Sequence, residues 1–360
     1  MATTSPLKKS PPYAAVNKHL TAARASIRRY GLPALLLFLP VFLFLLALGL
    51  GRYPITIADV GRVLLSPLFP GVADHVDQTA ALLVLRIRLP RALAALLIGA
   101  SLASTGAAFQ GIFKNPLVDS NILGVTSGAG FGAALALLLL APAWLVQTSA
   151  FFFGLLAVSL AFFGSRLYHS APILVLTLMG ILVGSLFGSL TSLLKYVADP
   201  LDALPAITFW LLGSLASVTW RSIPALLLIT AVGALFLWLV RWRLNVLSLG
   251  EAEAATLGMN PTRLKLAIIV TATLMTAVAV SISGVIGWVG LVIPHAGRIL
   301  VGPDHKRLIP ATLSLGASFL LLIDLIARTL LPGEVPLGVL TGLIGVPILI
   351  VLLRRNRTGW

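Results

Sequence analysis

Ten apolar segments follow one another along this chain, each long enough to cross a lipid bilayer. They lie near residues 31–50, 90–112, 119–141, 144–165, 172–194, 222–241, 262–282, 284–300, 308–331 and 336–353. A helix needs about 20 mostly apolar residues to cross the hydrocarbon core. The pattern therefore predicts an all-α polytopic membrane protein with about ten transmembrane helices. Two further apolar segments, residues 54–70 and 201–217, are interrupted by proline and are predicted to form surface helices that do not span.

The composition excludes most other classes of protein. Of the 360 residues, 58% are hydrophobic and 10% are charged, whereas soluble proteins carry about 25% charged residues. The net charge of +15 is spread between the apolar segments, unlike the single basic face of a nucleic-acid-binding domain, so no nucleic acid partner is expected. The chain has no Cys and no GxxxxGK(S/T) phosphate-binding loop. It therefore offers no thiolate metal site and no ATP site of that kind.

The basic residues predict the orientation in the membrane. With ten spans and a cytoplasmic N-terminus, 18 of the 26 Lys and Arg residues fall on the cytoplasmic side and eight fall outside. This asymmetry follows the positive-inside rule, so both termini are predicted to be cytoplasmic. The chain then divides into a basic tail at residues 1–30, a transmembrane domain at residues 31–354 and a short tail at residues 355–360.

The most distinctive cytoplasmic loop is residues 245–258, which we call the coupling segment. Ser248 is predicted to cap a short helix, and Glu251 to lie in its first turn, where the helix dipole favours an anion. Gly258 is predicted to end this helix. So short a helix has no core of its own. It is therefore expected to dock either on the membrane surface or on a soluble partner.

Several arginines are predicted to lie outside, where the positive-inside rule disfavours them. Arg86, Arg88 and Arg91 precede the second span, and Arg328 ends the ninth. Arg328 is spaced to pair with Asp324 one helical turn earlier, and Arg88 and Arg91 could extend to lipid headgroups. The alternative is a basic surface that receives carboxylates of an external protein through bidentate contacts.

Small residues recur every four positions in two of the spans. The third span carries Gly124, Gly128 and Gly132, and the fifth carries Gly180, Gly184 and Gly188 beside Ser185. Small residues at this spacing let helices pack closely in a bilayer. The alternative is that the small, hydroxyl-bearing face of the fifth span lines a wide passage.

Ionisable residues within the spans are few. Asp324 is the only acid well inside a span, and His295 stands at a helix end beside Arg298. An ion-coupled secondary transporter would normally show intramembrane carboxylates or histidines for its coupling ion, and a membrane enzyme would need several that converge. His295 is predicted to be a structural hydrogen-bonding residue rather than a metal or haem ligand.

Six short motifs occur in order along the chain: Arg88-Leu-Pro-Arg91, Gln110-Gly-Ile-Phe-Lys-Asn-Pro-Leu117, Ile122-Leu-Gly-Val-Thr-Ser-Gly-Ala-Gly130, Leu249-Gly-Glu-Ala-Glu253 with Leu257-Gly258, Gly284-Val-Ile-Gly-Trp-Val-Gly-Leu-Val-Ile-Pro-His295 and Glu334-Val-Pro-Leu-Gly338. Together they resemble the FecCD/BtuC-type permeases, the membrane subunits of type II ABC importers for iron–siderophore complexes, haem and cobalamin. The resemblance runs from about residue 50 to the C-terminus, and the Gly284–His295 block is highly specific.

The resemblance implies the architecture of a type II ABC importer permease, a homodimer of ten-helix subunits in the bacterial inner membrane with the pathway between them. The implied partners are two cytoplasmic ABC ATPase subunits and a periplasmic substrate-binding protein. ATP and Mg would bind to the ATPase subunits, so this chain would bind no cofactor and have no ATPase site.

The motif match also implies roles for individual residues. The coupling segment would enter a groove of the ATPase through Ser248, Leu249, Gly250, Glu251, Ala254, Ala255, Leu257 and Gly258. Arg88, Arg91 and Arg328 would meet glutamates of the binding protein. The pathway and its gate would be formed by the fifth span and the turn before it, with His169, Ser170, Pro172, Gly180, Gly184, Ser185 and Gly188. No catalytic or metal-binding residue is implied.

The function expected from this resemblance is import of an iron chelate, a ferric siderophore or haem, by alternating access. A cobalamin importer is the alternative within the family, and an ion-coupled secondary transporter is the alternative from another class. The sequence does not rank the solutes, because a wide, mildly polar passage suits any of them.

Overall fold

The computed structural model describes residues 31–66, 69, 77–167 and 172–355. Within these residues the fold is entirely helical, with thirteen helices, a 3₁₀ turn at Ser120–Leu123 and no strand. The helices are α1 (Leu32–Gly49), α2 (Ile57–Leu65), α3 (Gln78–Phe113, with a π-helical stretch at Leu83–Arg88), α4 (Val125–Leu138), α5 (Ala143–Ser165), α6 (Pro172–Val197), α7 (Ala203–Leu212), α8 (Ile223–Leu249), α9 (Glu251–Thr256), α10 (Pro261–Ser283), α11 (Val289–Val301), α12 (His305–Thr329) and α13 (Leu337–Arg355). The predicted tail at residues 1–30 and the predicted gate residues His169 and Ser170 lie outside the described residues.

The helices account for the ten predicted spans. Seven of those described are long and apolar enough to cross a membrane, namely α1, α3, α5, α6, α8, α10 and α12. The shorter apolar helices α4, α11 and α13 coincide with the spans predicted at residues 119–141, 284–300 and 336–353. At 1.5 Å per residue, α3 is about 54 Å long, so it extends well beyond a hydrocarbon core of about 30 Å.

The two predicted surface helices differ in the structure. Helix α2 is short and keeps Val60 and Val63 buried while Ile57, Arg62 and Leu65 are exposed, as in a surface helix. Helix α7 has ten residues, too few to span, and Phe209 is 67% exposed, but Ile207 is fully buried and the helix packs against α4. The Leu337 N–H donates to Gly213 O at 2.9 Å. This bond joins the end of α7 to the start of α13, so α7 is attached to the helical bundle through both contacts.

The core is built around α3, whose span is the most buried of the seven candidates. A Cβ atom placed on Gly99 would lie 2.2 Å from Gly316 O, and one on Gly106 would lie 2.1 Å from Gly290 O. Glycine at these positions therefore lets α12 and α11 pack directly on the backbone of α3.

The motif Gln110–Leu117 meets the block Gly284–His295 at a proline. Pro294 lies inside α11 and has no N–H, so Gly290 O has no helical donor. Gln110 Nε2 donates to this oxygen at 3.3 Å, and Arg298 Nη1 donates to Gln110 Oε1 at 2.5 Å. Two of the quoted motifs are thus joined by side-chain hydrogen bonds within the core.

Candidate functional site

The coupling segment is divided between two helices. Helix α8 continues to Leu249, and the chain turns at Gly250, whose φ of +156° suits glycine. Helix α9 follows and is ended by Gly258, with φ of +75°. The prediction that Ser248 caps α9 is wrong, because Ser248 lies within α8 and its hydroxyl donates to Asn245 O. The buried residues Leu244, Val246 and Leu247 explain the longer α8, since each adds apolar contact to the core.

Helix α9 presents most of its surface outward. Ala254 is fully buried, whereas its neighbours Glu251, Ala252, Glu253, Ala255 and Thr256 are exposed. Leu249 and Leu257, which flank the helix, have exposed fractions of 69% and 61%. Exposed apolar side chains beside carboxylates are typical of a surface that binds another protein. The coupling segment therefore has the surface expected for a partner interface.

Helix α9 is attached to the membrane-spanning bundle at its first turn. Glu251 forms an ion pair with Lys265, near the start of α10. Two cavities flank this pair, of about 270 and 490 Å³, and both are lined by Phe113, Ile173 and Glu251. Since Ile173 belongs to the first turn of α6, the coupling segment lies next to the beginning of the predicted pathway helix.

The predicted pathway residues of α6 have two different environments. A Cβ atom on Gly180 would lie 2.3 Å from Ile122 O, so this glycine serves close packing. Gly184 is less constrained, with Ser127 Oγ at 3.5 Å. Gly188 has nothing within 4 Å, and Ser185, one turn earlier, is exposed. Helix α6 begins at Pro172. A passage along the outer part of α6 stays a prediction for Ser185 and Gly188.

The glycines of the third span fit the packing alternative. A Cβ atom on Gly128 would lie 2.4 Å from Phe153 O, and one on Gly132 would lie 2.5 Å from Ser149 O. Both glycines therefore bring the backbone of α4 close to that of α5. Gly124 has a φ of +82° and caps the start of α4.

The three arginines predicted for docking are buried within the chain. Arg91 donates from Nη1 and Nη2 to the two carboxylate oxygens of Glu334, at 2.7 and 3.0 Å, and from Nε to Asp324 Oδ1 at 2.9 Å. Arg328 Nε lies 3.5 Å from Asp324 Oδ2, which confirms the predicted pair. We call Arg91, Asp324, Arg328 and Glu334 the outer charge cluster.

Arg88 and Arg328 bind the last turn of α1. Arg88 Nη1 donates to Leu48 O and Gly49 O, both at 2.8 Å, and Arg328 Nη2 donates to Ala47 O at 2.5 Å. These are carbonyls that a helix end leaves without partners, and a cation is favourable there. In the single chain these arginines are bound to its own carbonyls and carboxylates, and their docking role stays a prediction. Arg86 is the exposed member of this group.

The sequence alone gave no sign of two of these contacts. Arg91 and Asp324 are 233 positions apart, and Arg91 and Glu334 are 243 apart. The motif Glu334–Gly338 is visible in the sequence, whereas the pairing of Glu334 with Arg91 is visible only in the structure. His295 is 1% exposed and hydrogen-bonds the backbone of Leu352, which agrees with the structural role predicted for it. Among the described residues, no group of three or more His, Asp or Glu side chains is placed to hold a metal.

Comparison with known proteins decides the family. The sequence matches the FecCD transport family over residues 37–355. This chain belongs to the FecCD family. The family match covers nearly all the described residues and both the coupling segment and the outer charge cluster, so these features belong to one permease subunit of an ABC importer.

Two curated relatives show the range of solutes within the family. The molybdate import system permease protein MolB of Haemophilus influenzae is 39% identical over 330 residues, which cover 92% of this chain and 96% of MolB. A probable iron chelatin transport system permease protein of Helicobacter pylori is 39% identical over 280 residues, which cover 78% of this chain and 85% of the relative. Identity to the two is equal, so it does not distinguish their solutes.

A solved structure shares the fold. It is described as an inward-facing conformation of a metal-chelate type ABC transporter, and it matches with a TM-score of 0.80 and 38% identity. The match covers 89% of this chain and 97% of the other. It confirms the prediction of an all-α, type II ABC importer permease.

Proposed function

We propose that this FecCD family permease imports an iron chelate, either a ferric siderophore or haem, across a bacterial inner membrane by alternating access. The energy comes from two separate ATPase subunits on the cytoplasmic side. A periplasmic binding protein delivers the solute. Two copies of the chain form the pathway between them.

The position of α9, which shares two cavities with the first turn of α6, carries the proposal. Leu249 and Leu257 are exposed on the cytoplasmic side, where they are available to a partner. Glu251, between them, lines both cavities that reach Ile173 of α6. When a bound ATPase moves α9, the motion therefore passes to the pathway helix through adjacent residues.

The open face of α6 supports the pathway in a homodimer. Only 17% of an 18-residue stretch of this helix is buried within one chain, as low a share as in α1. Ser185 and Gly188 lie on the exposed side. In a dimer whose two α6 helices face each other, these small residues would leave a wide, mildly polar passage, which suits a bulky chelate better than a small ion.

The outer end of the bundle is where we place the binding protein. Because Arg88, Arg91 and Arg328 are buried, the accessible charged groups there include Arg52, Arg86 and Glu334, whose side chain is 35% exposed. A carboxylate from the binding protein could reach Arg91 only if it displaced Glu334. Direct docking on the arginines thus requires the outer charge cluster to open.

The cycle follows from these placements. A loaded binding protein docks at the outer end, and ATP brings the two ATPase subunits together. The coupling segments transmit this closure to α6, which opens the passage to the outside. Hydrolysis then resets α9, and the passage opens to the cytoplasm.

Transport by the reconstituted complex tests the solute. The complex of permease, ATPase and binding protein is placed in proteoliposomes with ATP at the ATPase, and uptake of a ferric siderophore, haem, cobalamin and molybdate is compared. We expect ATP-dependent uptake of an iron chelate. Molybdate is the second candidate because MolB matches nearly the full length of this chain, and preferential uptake of molybdate or cobalamin would refute the iron-chelate assignment.

A second preparation, without the ATPase and the binding protein, tests for the other class of transporter. Proteoliposomes with the permease alone and an imposed proton or sodium gradient should accumulate no solute. Accumulation without the ATPase would instead support an ion-coupled secondary transporter.

A further inference from the structure

A large cavity lies between the first half of α1 and the junction of α11 with α12. Its volume is about 870 Å³. It exists because the buried residues of α1 are confined to its last turn, Ala47, Leu48 and Gly49, so the first half of the helix packs only loosely. The walls are mainly apolar and include Leu36, Leu37, Val301 and Ala311. The cavity plays no part in the coupling, pathway or docking regions.

The inner end of the cavity is fixed by a side-chain hydrogen bond. Pro40 lies inside α1 and has no N–H, so Leu36 O lacks its helical donor. The Ser314 hydroxyl of α12 donates to this oxygen. Because an unsatisfied carbonyl is costly in lipid, this bond holds the two helices together at one depth. The cavity is a defined recess rather than a gap between independent helices.

The mouth of the cavity carries a positive charge. Arg307 lines it, and among the described residues no carboxylate forms an ion pair with its guanidinium. The nearby Asp304 carboxylate accepts from Asn245 Nδ2 at 2.5 Å and from the Lys306 N–H at 2.9 Å. Both donors bind Oδ1, and the Asp304 carboxylate lies near Arg307 without forming an ion pair with it. The Arg307 side chain is exposed.

The sequence before α1 is also basic. Residues 1–30 contain six Lys and Arg residues and no Asp or Glu. Arg28 and Arg29 directly precede the part of α1 that lines the cavity. Among the described residues that line the cavity, Arg307 is the charged one, so it favours a negatively charged ligand at the mouth.

We propose that this cavity binds an anionic phospholipid of the cytoplasmic leaflet, with the phosphate on Arg307. An Arg guanidinium matches phosphate geometry, and basic recesses between helices on the cytoplasmic side bind acidic lipid headgroups. From Arg307 to Ser314, α12 rises about 10 Å. The recess therefore holds the glycerol and the upper part of the acyl chains. The site is separate from the solute pathway and does not depend on which solute is carried.

Lipid retention by the purified full-length chain tests this site. The chain is incubated in detergent with phosphatidylglycerol or phosphatidylcholine that have the same acyl chains, and bound lipid is counted by native mass spectrometry. We expect the wild type to retain phosphatidylglycerol preferentially. Loss of a charge-assisted contact in Arg307→Ala should lower this retention about tenfold, whereas Arg354→Ala, which removes an exposed cytoplasmic arginine outside the cavity, should not.

Two further variants separate the recess from its charge. Leu37→Trp changes an exposed residue of the cavity wall to a larger one, so retention of both lipids should fall. A chain that lacks residues 2–29 should keep its preference for phosphatidylglycerol. No preference in the wild type, or full retention by Arg307→Ala, would overturn the proposal. Binding that appears only after deletion of residues 2–29 would also overturn it, because that segment would then be the occupant.

Discussion

Asp324 is the residue that balances the outer charge cluster. Its side chain is 1% exposed and lies between Arg91 and Arg328. The other carboxylate of the cluster, Glu334, is partly exposed and, of the two arginines in the cluster, bonds only to Arg91. A carboxylate between two buried guanidinium groups is hard to replace, because its removal leaves two positive charges in a poorly solvated environment.

Replacement of Asp324 should therefore destabilise the protein strongly. We expect Asp324→Ala to lower the free energy of unfolding by about 3–5 kcal/mol, the range typical of a broken buried ion pair. Thermal unfolding in detergent measures the effect. Asp59→Ala, which removes the partner of Arg62 on the exposed helix α2, is the control and should leave the melting temperature nearly unchanged. Equal melting temperatures for the two variants would show that the cluster contributes little.

Gln110 offers a second test at the scale of one side chain. It satisfies the carbonyl released by Pro294 and accepts from Arg298. Gln110→Leu keeps the size but leaves Gly290 O without this donor, so we expect a loss of about 1–3 kcal/mol in unfolding free energy. Gln147→Leu is the matched control, because Gln147 makes only a 3.5 Å contact with Ser222. A melting temperature for Gln110→Leu as high as that of the control would contradict the assigned role.

Local spacing explains which residue contacts could be predicted. The Asp324–Arg328 pair follows from two residues four positions apart on one helix. The contacts of Arg91 do not, because they join parts of the chain more than 200 positions apart. A single sequence does not distinguish an arginine that is paired within its own chain from one that is available to another protein.

The coupling segment is the element with the clearest partner surface. Leu249 and Leu257 are exposed, so their replacement should not affect folding. We expect Leu249→Glu with Leu257→Glu to abolish copurification of the ATPase, because two charges would be buried in the interface. Leu201→Glu, at an exposed apolar residue on the predicted outer side, should keep the ATPase. If the double variant still copurifies at full stoichiometry, the coupling role is wrong.

The positions of the membrane spans could be predicted, because the hydropathy of the sequence determines them. The ten spans follow from runs of apolar residues, and the structure places a helix at each. The end of α8 and the packing of α7 were not predictable, since both depend on contacts with other helices: Leu244 and Leu247 extend the first, and α4 covers Ile207 of the second. A short apolar helix looks the same from its sequence whether it lies on the surface or in the core.

At the scale of the whole molecule, the chain has no Cys, so a single introduced cysteine can be labelled specifically to map the pathway. A single cysteine introduced by Ser185→Cys or Gly188→Cys should react with a water-soluble maleimide in the assembled transporter, because thiolates form in water and not in lipid. Leu228→Cys, at an exposed residue of α8, should stay unreactive at the lipid surface. If none of the three is labelled, α6 faces lipid and another helix lines the passage.

The capping of α1 by arginines has a consequence for biogenesis. This helix is synthesised first among the described spans, yet the donor for Ala47 O comes from Arg328, which is 281 positions later in the chain. During translation the nascent hairpins insert while the end of α1 still lacks that donor. The end of α1 therefore gains this hydrogen bond only after α12, one of the last helices, has been synthesised. Chains truncated before α12 should be degraded by membrane quality-control proteases.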